Sequence, residues 1–426
     1  MDEKYINANE QHYIVSLDNG IRREEPITID VINNFKDGSQ LVQLNKTVFG
    51  VLKSNSLNPD TMYIDDYDII KTDIAELLDI DHEETKRIVT EENNIGVFTV
   101  LNYSKNIETR ISATTVLNHI MEYIKKGLIS EEETAWITKV LQYPAISKGN
   151  GIDNPEQIED IINLGTYSLV KEIELQSGMP LDNKTKDAIK KNYIRMILFD
   201  YLVGRKYRGL DYYLISKINE QSKPLWIDSY LSPISISNGI DKDELVADDE
   251  YILNNKLVKK EVLLNVLFDN HYREIKKMTE AISDAQKLYT DAIVRIVYNN
   301  TDLNKAAFLE DLVTKNMEKV SKLQQDIEKK LDKEEKTNKV ERTMATQSLN
   351  VRVTTKLDLI QKKYPINPKE HPELLEKKQN KEEEIKLIVE EEKSSGFATS
   401  TFLLSAIALI CGIGIGIAYV LMTIGS

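Results

Sequence analysis

Residues 402–424 read FLLSAIALICGIGIGIAYVLMTI, without a charge. A helix of about 23 residues at ~1.5 Å rise reaches roughly 34 Å, enough to cross the hydrocarbon core of a bilayer. No other feature constrains the chain as much, because a core helix of a water-soluble domain rarely runs so far without a polar face. With its flank, residues 397–424 form the predicted transmembrane helix, and only Gly425 and Ser426 follow. The opening residues, MDEKYINANEQHYIVSLDNG, contain neither a basic start nor an apolar run, so no signal peptide is read there. The expectation is a single-pass, tail-anchored protein of the cell membrane whose soluble part faces the cytoplasm, with the lipid bilayer as its first partner.

The soluble part carries the charge. The net charge of -14 and pI near 5.1 argue against a general nucleic-acid binder, since phosphate would be repelled, and against adhesion of the body to anionic lipid. The one cysteine, Cys411, lies inside the apolar run, which excludes an intramolecular disulfide and a cysteine-based zinc site. The five histidines are scattered without ligand spacing. An excess of Ile, Lys, Asn and Tyr suits an A/T-rich, bacterial genome.

Along the chain, HYIVSL (12–17), PITIDVI (26–32) and QLNKTVFGVLKS (43–54) predict strands separated by turn clusters. TDIAELLDI (72–80) predicts a helix and GVFTVLNYS (96–104) a further strand, which together suggest a small mixed lobe. From about residue 110 the pattern is helical. Ser130 and Glu133 have capping-box spacing, and residues 183–202 form a long periodic stretch. YYLIS (212–216) and LWID (225–228) predict a hairpin, and helices resume at Lys260.

Leu309, Val313, Asn316, Val320, Leu323, Ile327 and Lys330 recur at alternating spacings of four and three. Two readings share that pattern: a coiled-coil seam and an amphipathic helix folded back on the preceding lobe. Residues 366–396 are rich in Lys and Glu and read as a charged spacer. Ala408, Gly412 and Gly416 repeat a small residue every fourth position, a face that lets membrane helices pair. With the heptad pattern it suggests a parallel homodimer.

Chemistry is suggested by MILFDYLVGRKYRGLDYYLI (196–215) and KPLWIDSYLSP (223–233). Phe199, Asp200, Leu202, Gly204 and Arg208, followed by an apolar run and Asp228, resemble the catalytic segment of the HipA-like protein kinases, a bacterial family with a two-lobed fold. The resemblance implies that Asp228 stands at the magnesium-binding aspartate. It places Tyr207 where the catalytic acid belongs and Gly209 where a histidine follows it. Tyr212, or Asp211 with one deletion, stands at the metal-binding asparagine. Weaker likeness extends over residues 10–285. On it Asp73 takes the place of the helix glutamate that pairs with the ATP-orienting lysine, and Lys53 is the candidate for that lysine. ATP and Mg would be the implied cofactors. Phosphoryl transfer needs a carboxylate to orient and deprotonate the acceptor, and a phenol with a pKa near ~10 is a poor substitute. The expectation is therefore a kinase relative that has lost transfer.

The expected fold class is α+β: a kinase-like two-lobed domain with a small mixed N-lobe (1–108) and a helical lobe with a degenerate catalytic loop (109–300). A helical or coiled-coil stalk (301–365), the charged spacer (366–396) and the membrane helix (397–424) follow. The expected function is a binding, scaffolding or nucleotide-sensing module for an unidentified cytoplasmic protein, with no nucleic acid. A first alternative is an active kinase that uses Asp211 and Asp228. A second takes Asp73–Val89 as a helix-turn-helix of a membrane-tethered DNA binder, although His82, Glu83 and Glu84 would set carboxylates against phosphate.

Overall fold

The computed structural model describes residues 12–18, 21–34, 40–54, 67–80, 82, 84–90, 95–100, 107–112, 116–208, 213–218, 226–229, 246–301, 303–334, 354–365, 367 and 369–371. The sequence opens as an antiparallel sheet. β1 (His12–Asp18) pairs with β2 (Ile21–Ile27), β3 (Ile29–Asn34) with β4 (Gln40–Leu44), and β4 with β5 (Val48–Ser54). Helix α1 (Tyr67–Leu77) follows, and then β6 (Thr85–Thr90) and β7 (Ile95–Val100) insert between the two earlier groups. The resulting seven-stranded order is β2-β1-β6-β7-β5-β4-β3. Ile14 lies opposite Ile88 and Leu52 opposite Phe98, and with Val42 and Leu44 they build an apolar cluster belonging to the sheet alone. Gly50 makes room for it, because a Cβ there would overlap the Phe98 ring.

β8 (Ile107–Ser112) leaves that sheet and leads into α2 (Val116–Lys125), α3 (Glu131–Leu141), α4 (Pro155–Ser177) and α5 (Asn183–Leu202). Local signals account for these ends. The Ser130–Glu133 capping box is formed in both directions. Asn154 caps α4 with Pro155 in its first turn, and Gly178 closes it in the left-handed conformation. Asp182 caps α5 through the N–H of Thr185. Tyr193, Ile194, Ile197, Leu198, Phe199 and Leu202 are all buried, which makes α5 the central helix of the body.

β9 (Tyr207–Arg208) follows α5, then β10 (Tyr213–Ile218) and β11 (Trp226–Ser229), which pair as the expected hairpin and extend β8 into a three-stranded sheet. β12 (Glu250–Leu253) and β13 (Lys256–Lys259) form a second hairpin, with β9 alongside in parallel. Asn254 and Asn255 turn it, both at positive φ (50° and 63°), as a two-residue type I′ connection requires. α6 (Lys260–Asn270), α7 (Tyr272–Asp284), α8 (Gln286–Asn300), α9 (Leu303–Glu334) and α10 (354–363) complete the body.

Two features of the expected fold class are corrected. The amino-terminal part is not a small mixed lobe built around one helix. It is a seven-stranded sheet with its own core, while Ile70, Ile74, Ala75 and Leu77 of α1 join the helical core and α1 packs on α8. The heptad-like stretch is not a stalk. Val313, Met317 and Val320 are buried in that same core, and α9 lies along α7 and α8, so the stripe is filled by the chain's own helices. Among the described residues, no helix is long and apolar enough to cross a membrane. Residues 397–424, with the small-residue face at 408, 412 and 416, lie outside the described residues. The proposed recognition helix of a helix-turn-helix is absent as well: α1 is followed by strand β6.

Candidate functional site

Asp73 is the expected site residue whose side chain the structure locates, and its surroundings are unusual. It sits on α1 with 2% of its surface exposed. Lys363 Nζ lies 2.7 Å from Oδ1, and Tyr364 donates its hydroxyl to Oδ2 at 2.7 Å. Lys363 is the last residue of α10 and Tyr364 the next, about 290 residues along the chain. A buried carboxylate survives only when its charge is met and its lone pairs are satisfied, and here one cation and one hydroxyl supply both conditions.

Around this pair lie further polar contacts, buried at Asn300 and partly exposed at Arg295. Asn300, the last residue of α8, donates Nδ2 to Tyr364 Oη at 2.8 Å. Arg295 Nη1 donates to the carbonyl of Tyr364 at 3.1 Å and to that of Pro365 at 3.0 Å. Burial and the neighbouring Asp73 charge push the Tyr364 phenol well above its ordinary value, so it stays a protonated donor. The far end of α1 is held by the same segment. Lys356 Nζ meets the carbonyls of Glu76 at 2.9 Å and Leu77 at 3.3 Å, and the carboxylate of Asp79 at 2.5 Å. That places a cation at the negative end of the helix dipole. Arg195 of α5 also donates to the carbonyls of Leu78, at 3.3 Å, and Asp79.

The segment that resembles a catalytic loop is built around Asp200. Its side chain is fully buried and accepts the Tyr251 hydroxyl at 2.6 Å, with Arg205 Nη1 3.9 Å from the other oxygen. The amide of Arg205 donates to the Asp200 carbonyl at 2.9 Å. Gly204, at φ 72°, ends α5 with Leu312 packed against it. From α9, Asn316 Nδ2 caps the carbonyls of Tyr201 at 2.8 Å and Leu202 at 3.3 Å. Asp200, Gly204 and the α5 terminus thus tie α5 to β12 and α9. Beyond them Tyr207 lies in β9, beside Ile252, and Asp228 lies in β11, across from Leu214. Lys53 lies in β5, across from Val97. Asp211 and Tyr212 fall outside the described residues.

Among the described residues, the side chains of Lys53, Tyr207 and Asp228 are not placed, so the structure does not test the expected ATP–magnesium site beyond Asp73. Asp73 is already engaged, and no group of three His, Cys, Asp or Glu side chains gathers for a metal among the described residues.

Sequence reasoning missed the partners of Asp73 and the anchor of the second hairpin. Glu250, fully buried, accepts the amides of Gly151 at 2.8 Å, Gly149 at 3.0 Å and Ala247 at 3.1 Å, and Lys259 Nζ at 3.1 Å. Burial opposes its ionisation, but these donors outweigh it and bring the carboxyl down to about 2. A signal was present for this hairpin: Asn254–Asn255 between the β-rich runs EYIL and KLVK is turn chemistry. Nothing local marks Lys363 and Tyr364.

No family model matches the chain, and no curated protein matches it. Among solved structures it is similar to the crystal structure of a Helicobacter pylori proinflammatory kinase, CtkA, with 14% identity over 70% of this chain and 95% of that chain and a TM-score of 0.42.

Proposed function

We propose that the chain is a non-catalytic relative of the HipA-like kinases that works as a binding or scaffolding module at a membrane. One observation carries this reading. Asp73, which the sequence resemblance puts at the carboxylate that fixes the ATP-orienting lysine, has both oxygens engaged by Lys363 and Tyr364. A phosphotransferase needs that carboxylate free for its lysine. Tyr207 at the acid position supports the same conclusion, since a phenol is a weak base at neutral pH. Residues 397–424 are the proposed anchor, placing the body at the cytoplasmic face of the cell membrane, and the proposed partner is a cytoplasmic protein. Ala408, Gly412 and Gly416 are the proposed pairing face of a parallel dimer.

The test uses the full chain in mild detergent, mixed with ATP and magnesium and with labelled ATP. The expected result is no labelled phosphate on the protein or on an added acceptor. Transfer that disappears in Asp211→Asn or Asp228→Ala would establish a working kinase and overturn the proposal. Thermal stabilisation by ATP and magnesium without transfer, lost in Asp228→Ala, would define the module as nucleotide-sensing; no stabilisation would define it as a scaffold. Release of the chain from membranes without detergent would remove the anchor.

A further inference from the structure

Residues 354–365 come last among the helical segments of the body, after the 335–353 stretch and ahead of the charged spacer. Their apolar attachment is narrow. Leu357, Ile360 and Tyr364 are buried, while Leu359 on the opposite side is 53% exposed. Polar contacts add to it: Lys356 on the α1 carbonyls, Arg295 on the Tyr364 and Pro365 carbonyls, Asn300 on the Tyr364 hydroxyl, and Lys363 and Tyr364 on Asp73. Water can replace such contacts one by one, which distinguishes this segment from α4 and α5, whose faces are closed by continuous apolar packing.

The chemistry of Asp73 links this segment to α1. Without Lys363 and Tyr364 the carboxylate would be a buried charge lacking the partners that meet both its oxygens, a state too unfavourable to persist. If the segment leaves, Asp73 loses its counter-cation and its cover together, and α1 loses the Lys356 contacts that hold its carboxy-terminal end. We propose that residues 354–365 form a releasable clasp that holds α1 and its Asp73 against the helical body, so that the segment leading toward the tail controls access to Asp73. This inference goes beyond the membrane-module reading and does not depend on nucleotide binding.

Amide hydrogen exchange followed by mass spectrometry on the full chain in mild detergent tests the clasp. Peptides from 354–365 and from α1 should exchange together, at least about tenfold faster than peptides from α5. Tyr364→Phe, which removes one donor from Asp73 and keeps the ring, should accelerate both regions by about tenfold and leave α4 and α5 unchanged. The clasp is refuted if 354–365 is protected as long as α5. It is equally refuted if Tyr364→Phe accelerates 354–365 and leaves α1 untouched. Should Tyr364→Phe not fold, Lys363→Gln at the half-exposed partner is read in the same way, with an expected joint acceleration of about threefold.

Discussion

Gly151 donates its backbone N–H to the fully buried carboxylate of Glu250 at 2.8 Å, joining the loop before α4 to the first residue of β12. With the amides of Gly149 and Ala247 and the Lys259 ammonium, this makes the ionised form of Glu250 a structural staple. Its folded pKa, about 2, lies below the unfolded value of ~4.3. Its contribution is therefore complete above pH ~4.3 and is lost as pH falls toward 2. Glu250→Gln should cost about 2 kcal/mol at neutral pH. The difference between variant and parent in urea titrations should shrink below pH ~4, and a constant difference across that range would contradict the assignment.

Gly165, in the middle of α4, is required by contact and not by backbone conformation. A Cβ at that position would overlap Tyr193 Oη and approach Asn254 Nδ2, two groups bonded to each other at 2.5 Å within the core. Gly165→Ala should lower stability by about 1–3 kcal/mol despite alanine's better helix propensity. Adding Tyr193→Phe removes the overlapping oxygen, and thermal denaturation of the double variant should recover part of that loss.

Asn316 discriminates between the two readings of the heptad-like stretch. In a coiled coil, leucine at such a position would tighten the association of two copies. In the docked helix, Asn316 caps the carbonyls of Tyr201 and Leu202, and leucine would leave them without that donor. Asn316→Leu is expected to lose about 1–2 kcal/mol with no gain in self-association by light scattering. A more stable, more strongly associating variant would reverse the conclusion.

Thr279 and Gln324 hold α7 to α9 through a buried hydrogen bond of 2.7 Å, and the Gln324 amide continues to Tyr272 and Glu328. Removing one member strands its partner, so Thr279→Val should cost about 1–3 kcal/mol. Combining it with Gln324→Leu should cost less than the sum of the single changes, measured as a coupling energy in denaturant. Strict additivity would indicate that the two groups do not share the bond in solution.

Local chemistry explains what could be anticipated. The Ser130–Glu133 box, the run of residues 183–202 and the hairpin at 213–229 were legible because a cap, a helical period and a β-rich pair are properties of a few neighbouring residues. Within the 196–233 stretch, Asp200 serves as an internal tie to Tyr251, a partner that nothing near it in the chain marks.

What the chain's order alone determined, then, is a set of elements and a reservoir of apolar stripes. Which stripe meets which was decided only in three dimensions. A heptad-like face on 309–327 looks the same whether it is covered by a second copy or by α7 and α8, because burial is blind to the origin of its partner. The insertion of β6 and β7 between β1 and β5 could not be read from strand patterns, since every strand edge offers the same backbone groups. Asp73 meets Lys363 and Tyr364 only because folding brings the two ends of the body together, where a buried charge must find its partners at whatever distance along the chain they lie.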